Sequence, residues 1–190
     1  MAENGKKFEI LRKFTQYRGF FNLERYRLRH TLYRGGWSDV LERELFERGS
    51  CVAVLLYDPV MDAVVLLEQF RVGAIKAGRG AWLLEIVAGA VEKGENATEV
   101  AYREAQEEAG CEILELRRIF KFYTSPGGAS EKITLFCGKV DANGVGGIHG
   151  LEHEGEDILV SVVSADEAIS KVNEGQIESA IPIIALQWLA

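Results

Sequence analysis

Seven residues, Gly89, Glu95, Arg103, Glu104, Glu107, Glu108 and Gly110, combine a glycine turn with a segment that carries several carboxylates near one edge. Glu104 and Glu108 stand four apart and so stack on one face of a helix. Exposed like charges at that spacing repel by only about 0.2–0.5 kcal/mol, and a solvated acidic face would tolerate them. Gathered at one edge, carboxylates also supply the hard oxygen donors that a divalent cation such as magnesium takes, with waters completing its shell. On that ground Glu104 and Glu108 lead as metal ligands. Glu107, adjacent to Glu108 and three from Glu104, ranks second. Arg103 and Glu95 carry the charges for an ion pair that orients turn and helix.

The elements that position these groups can be traced along the chain. Asn96, with Glu99 three residues on, forms a capping box that starts a helix near Ala97. Gly110 suits the left-handed position that ends it. Ala97, Val100, Ala101 and Ala105 give that helix a small-residue packing stripe. Upstream, FEILRKF, NLERYRLRHTLYRGG and LERELFERG predict an antiparallel meander with a turn at Gly35–Gly36. Arg25, Arg27, Arg29 and Arg34 on its outward faces read as edge-strand protection against aggregation. A three-strand unit this small is marginal alone and needs the main body or a second subunit to pack on. From Cys51, two apolar strands joined by an Asp-Pro turn predict the central hairpin of a buried sheet, and WLLEIVAG leads into the acidic segment. EILELRRIFKFY and KITLFCGKV follow as strands around the turn-rich TSPGGASE. DILVSVVS is a strand, Ser164 caps a helix to about Asn173, and AIPIIALQWLA closes the chain as a helix. This order fits a mixed sheet covered on both faces.

Composition sets outer bounds. The chain has 190 residues, 47% hydrophobic and 27% charged, enough for one compact core with a small appendage. No apolar run approaches the length of a membrane span, and MAENGKKFEI lacks a hydrophobic signal region, so the expectation is a cytoplasmic protein without membrane contact. The net charge of −7 argues against non-specific binding of nucleic acid. It leaves room for a phosphate-bearing ligand, because bound cations invert the local field. Cys51, Cys111 and Cys137 are scattered without paired ligand spacing and read as small buried hydrophobes.

The acidic segment resembles the signature of the Nudix hydrolases: Gly, any five, Glu, any seven, Arg-Glu, an aliphatic, any, Glu-Glu, any, Gly, an aliphatic. Ala105 stands where a larger aliphatic is usual, and Cys111 takes the final apolar position. The resemblance implies an α/β fold, an α/β/α sandwich with a mixed β-sheet, here with a small N-terminal antiparallel sheet. Its expected boundaries are 1–47 for the meander and 48–190 for the hydrolase domain. It also implies magnesium- or manganese-dependent hydrolysis of a nucleoside diphosphate linked to another moiety. In proteins of this kind the carbonyl before the signature glycine, here of Ala88, is a metal ligand.

A second acidic cluster, Glu152, Glu154, Glu156 and Asp157, lies in a glycine-containing loop. Composition alone does not separate a solvated loop from a functional one, nor Glu154 from Glu156. Beyond the signature, YRGFF, ERG, EQFR, SPGG with SE, GIHGL and IALQWL make nearly the whole chain similar to the bacterial ADP-ribose pyrophosphatase branch. That resemblance implies Glu154 as general base and Glu156 as a further metal ligand, with two or three cations per site. It implies substrate contacts from Phe20, Arg43, Arg71, Ser125 and Glu131, of which Arg43 and Glu131 come from the partner of a homodimer. As alternatives, Arg71 can pair with a signature glutamate and Phe20 can be a core residue. The implied reaction splits ADP-ribose into AMP and ribose 5-phosphate. Another nucleoside diphosphate sugar, such as GDP-mannose or ADP-glucose, and a non-catalytic nucleotide-binding sensor are the competing expectations.

Overall fold

The computed structural model describes residues 5–78 and 80–190. The chain forms two compact units, one running through Gly49 and including Tyr123–Lys132, the other Ser50–Phe122 with Ile133–Ala190.

In the first unit β1 (Phe8–Arg18), β2 (Asn22–His30) and β3 (Leu41–Glu47) form an antiparallel sheet in chain order. The chain turns through Gly35 and Gly36, both at positive φ. β2 is the middle strand, so Arg25, Arg27 and Arg29 do not guard an edge. They face acids on both neighbours: Arg29 meets Glu9 at 2.7 Å, and Arg27 and Arg25 meet Glu42 at 3.5 and 3.9 Å. Cross-strand charge pairing is the reason for those arginines. Glu24 is buried between the Lys13 ammonium, 2.6 Å away, and the Tyr26 hydroxyl, which donates to it at 2.6 Å. Both contacts, Lys13 first, hold its carboxyl below the ordinary range. The segment TSPGGASE adds to the free side of β3: Phe46 N–H donates to the Gly128 carbonyl at 2.8 Å, and Ser130 N–H to the Phe46 carbonyl at 3.0 Å.

The second unit is built on an eight-stranded sheet ordered β10-β11-β5-β4-β9-β8, with β6 on β5 and β7 on β4. The strands are β4 (Ser50–Asp58), β5 (Ala63–Phe70), β6 (Trp82–Glu85), β7 (Val87–Val91), β8 (Glu115–Tyr123), β9 (Lys132–Lys139), β10 (Gly147–His149) and β11 (Ile158–Ser164). Alternation along β4 and β5 sorts the core into two layers. Val52, Val54, Leu56, Val65 and Leu67 pack with Val100, Ala101, Ala105 and Ala109 of α1 (Ala97–Ala109). Ala53, Leu55, Val64 and Leu66 pack with Ala168 of α2 (Ala165–Asn173) and Ala185 and Leu186 of α3 (Ala180–Leu189). The result is the expected α/β sandwich, a mixed sheet with helices on both faces.

The hairpin of β4 and β5 pairs only at Tyr57↔Val64 and Asp58↔Ala63. Beyond that point β4 continues with β7 and β5 with β6, and the chain crosses from one to the other at buried Ile86. This crossing delivers Ala88 and Gly89 to α1. Asp58 fastens the hairpin turn, accepting from Val60 and Met61 N–H at 2.8 and 3.2 Å and from Ala142 N–H at 2.9 Å. Burial pushes the Cys111 thiol up to about 11 and raises that of Cys137, which suits inert packing groups. Among the described residues no helix is long and apolar enough to cross a membrane.

Candidate active site

The site begins with α1. Asn96 is extended, and its Oδ1 accepts from Thr98 N–H at 2.9 Å, which starts the helix where the capping residues place it. Gly110, at φ 63°, ends it, and its N–H donates to the Gln106 carbonyl at 3.0 Å. Because Val100, Ala101, Ala105 and Ala109 are the buried stripe, the helix turns Glu104 and Glu108 inward too, leaving them 9% and 3% exposed.

Burial dominates the chemistry of both acids. It raises the Glu108 carboxyl to about 8, with Glu104 and Glu156 adding to the rise. The Ala88 N–H, which donates to Glu108 Oε2 at 2.9 Å, and Arg71 partly oppose it. Glu104 is raised to about 7, again chiefly by burial; Arg103 opposes, and Glu107, Glu156 and Glu154 add to the rise. Five carboxylates from α1 and the 152–157 loop thus share one electrostatic environment. Gly89 explains its own identity: a Cβ there would overlap the Glu104 carboxylate, so only glycine lets the acid lie against this backbone.

Arg103 lies among the acids. Its Nη1 is 3.0 Å from Glu104 Oε1 and 3.1 Å from Glu107 Oε2, and its Nη2 is 3.7 Å from Glu95 Oε1. Glu95 also accepts from Glu92 N–H at 2.8 Å, which ties the glycine turn to the helix. The expected orienting pair is present, and it extends to two further signature acids. The acidic loop docks at the far end of α1: Gly150 N–H donates to the Glu107 carbonyl at 3.3 Å, and the His149 ring fills the space where Gly110 lacks a Cβ. Glu156 Oε2 accepts from Leu151 N–H at 3.0 Å, whereas Glu154 is exposed. Arg71 pairs with Glu85 rather than with a signature glutamate, its Nε and Nη2 both 2.8 Å from Glu85 Oε2. Leu67↔Glu85 register sets that acid beside β5.

A NUDIX domain is matched over residues 47–182. The ADP-ribose pyrophosphatase of Escherichia coli (strain K12) is 49% identical over 181 residues, 95% of this chain and 87% of that protein. The chain belongs to the Nudix family. The ADP-ribose pyrophosphatase of Haemophilus influenzae is 47% identical over 184 residues, 95% of this chain and 85% of that protein. The GDP-mannose pyrophosphatase of Cronobacter sakazakii is 38% identical over 154 residues, 78% of this chain and 77% of that protein. A crystal structure of an ADP compounds hydrolase superposes with a TM-score of 0.72 at 21% identity, covering 99% of this chain and 97% of the other, a likeness of fold.

Nudix hydrolases generally use divalent metal ions, and the donor set of this Nudix chain fits one. Two buried carboxylates whose ionisation burial opposes, with three more acids adding to that opposition, are stabilised as anions by a compact dication. Among the described residues no three acidic or histidine side chains are already grouped as a coordination shell. Glu104 and Glu107 meet the Arg103 guanidinium, Glu108 and Glu156 accept from backbone N–H groups, and Glu154 Oε1 lies 3.8 Å from His153 Nε2.

The other expected contacts lie in the first unit. Phe20 is 96% exposed, edge-on to Phe21 at 4.7 Å, and is no core residue. Arg43 Nη1 donates to the Glu42 carbonyl at 2.7 Å. Glu131 takes the Arg48 guanidinium at 2.8 Å, and the Ser125 carbonyl accepts from Gly128 and Ala129 N–H. Sequence patterns missed Glu85 as the partner of Arg71. Its signal was an acid closing the apolar run WLLE.

Proposed function

We propose that this Nudix hydrolase cleaves the diphosphate of ADP-ribose to give AMP and ribose 5-phosphate. The observation that carries the substrate choice is the likeness to ADP-ribose pyrophosphatases at 49% identity over 95% of the chain, against 38% over 78% for a GDP-mannose pyrophosphatase. The charge arrangement at α1 supports the reaction class, since a diphosphate can enter an acidic site only with cations that offset both.

Glu104, Glu108, Glu156 and the Ala88 carbonyl would hold two or three magnesium ions, with Glu107 as a further ligand; manganese is the alternative ion. When bound, such ions neutralise phosphate oxygens and acidify water. Glu154 takes the proton of the attacking water. Its exposure and its place in the same loop as Glu156 support that role. The water oxygen bonds to one phosphorus, the bridging P–O bond breaks, and the two phosphate monoesters leave. Arg71, held by Glu85, presents a planar cation to the diphosphate. Arg103 and Glu95 hold turn and helix in register, and Gly89 and Gly110 permit the backbone path.

To the first unit we assign adenosine binding and the building of a homodimer. The bare ring of Phe20 supports stacking on adenine, with Ser125 nearby in sequence to Glu131, and Arg43 and Glu131 lent by the partner. A cytoplasmic location is part of this proposal. The test is turnover of ADP-ribose by Glu154→Gln and Glu108→Gln. Each is expected to lose on the order of 100-fold or more; activity within a few-fold of the parent in both would overturn the mechanism.

A further inference from the structure

We propose that Gln69 is a substrate-binding residue, donating its side-chain amide to a diphosphate oxygen. This rests on the proposed use of the site for a nucleoside diphosphate sugar and adds a residue to it. Gln69 is 6% exposed, and its Nε2 has no hydrogen-bond partner among the described residues. Buried amide donors are nearly always paired in folded proteins, so an orphan one marks a place where an acceptor arrives from elsewhere.

Its place on β5 says what that acceptor faces. Val65 and Leu67 point into the core layer under α1, and Val64 and Leu66 into the opposite layer. Alternation therefore turns Gln69 and Arg71 to the α1 side, the side of Glu104 and Glu108. On one flank of this row Glu85, paired with Leu67, holds Arg71. On the other, Leu159 pairs with Glu68, which sets Ile158 of the α1-side core beside Gln69, two residues after Glu156. Gln69 thus stands next to Arg71 in the same row, beside the start of the strand that follows the loop carrying Glu154 and Glu156. These acids are acceptors, yet none takes Nε2. An amide that served to orient one of them would already be bonded to it. The missing acceptor is supplied by a ligand, and in a row shared with Arg71 the matching chemistry is an anionic oxygen. A carboxamide can bind such an oxygen without drawing charge from the acids.

The test uses Gln69→Leu, nearly isosteric and without the donor, and Gln69→Asn, which keeps the amide but withdraws it by one methylene. Thermal unfolding, calorimetric affinity for α,β-methylene ADP-ribose, kcat/KM for ADP-ribose and the magnesium concentration giving half-maximal rate are measured for both variants and the parent. Gln69→Leu is expected to unfold at the parental temperature or above it, because an unpaired buried donor has been removed. Its affinity and kcat/KM should fall on the order of 10- to 100-fold, with the magnesium midpoint unchanged; Gln69→Asn should lose nearly as much. Parental affinity and turnover in Gln69→Leu would overturn the proposal, as would a loss confined to the magnesium midpoint or to thermal stability. Should Gln69→Leu not fold, parental affinity in Gln69→Asn overturns it alone. A parent that neither turns over nor binds any such compound refutes the functional proposal instead.

Discussion

Replacing Glu108 with Gln should make the cation-free protein more stable while removing its activity. The folded Glu108 carboxyl holds its proton until about pH 8, against 4.5 ordinarily. Between those values the folded protein binds more protons than the unfolded chain, so unfolding free energy falls as pH rises. The interval, at about 1.36 kcal/mol per pH unit, sets an upper limit of roughly 5 kcal/mol lost by pH 8. Because Glu104 titrates in an overlapping range and pushes Glu108 upward, the variant should recover on the order of 2–5 kcal/mol. Glutamine has the same shape and can still accept from Ala88 N–H, so little else changes. The assay is urea unfolding of chelator-treated protein at about pH 5, 6.5 and 8. Parent and variant should agree near pH 5, and the variant should be the more stable at pH 8. With saturating magnesium the parent should regain stability, increasingly toward high pH, and the variant should not. Equal pH slopes in the two proteins, or a variant weaker at pH 8, would refute the electrostatic account of the site.

Three further outcomes are expected. Gly89→Ala forces the Glu104 carboxylate off the β7 backbone, so it should cost about 1–3 kcal/mol of stability and raise the magnesium concentration needed for half-maximal rate. Asp58→Ala, which strips three backbone N–H groups of their acceptor, should lower the unfolding temperature by roughly 5–10 °C and leave kcat of the folded fraction unchanged. Arg71→Lys loses the planar fork that meets Glu85 and that we propose binds the diphosphate; KM should rise on the order of tenfold, readable from initial rates, with kcat changed less.

The parts of the fold legible in the sequence are those with local causes. Asn96 and Gly110 bound α1 because a cap and a left-handed turn need those side chains whatever surrounds them. The paired runs after Cys51 gave the β4–β5 hairpin, and Ser164 started α2, its hydroxyl accepting from Glu167 N–H at 3.1 Å. What stayed hidden depends on neighbours distant in sequence. Arg25, Arg27 and Arg29 resembled edge guards because a strand's place in its sheet is not written in the strand. β10 has three residues, too few for a periodic pattern, and Gly147 with the flanking Gly146 and Gly150 obscured it. The break between β6 and β7 at Ile86 is marked by no glycine or proline, only by Glu85 within the otherwise apolar WLLEIVAG. At the site, spacing put Glu104 and Glu108 on one face. Only packing shows that this face is the buried one, and only register shows that Arg71 belongs to Glu85.

The most direct test of the central claim is product identification from purified protein with magnesium and ADP-ribose, alongside ADP-glucose, GDP-mannose and dinucleotides, with and without chelator. AMP and ribose 5-phosphate should dominate and vanish on chelation. A tenfold or greater preference for another nucleotide sugar, products that persist with chelator, or tight binding without any turnover would contradict it.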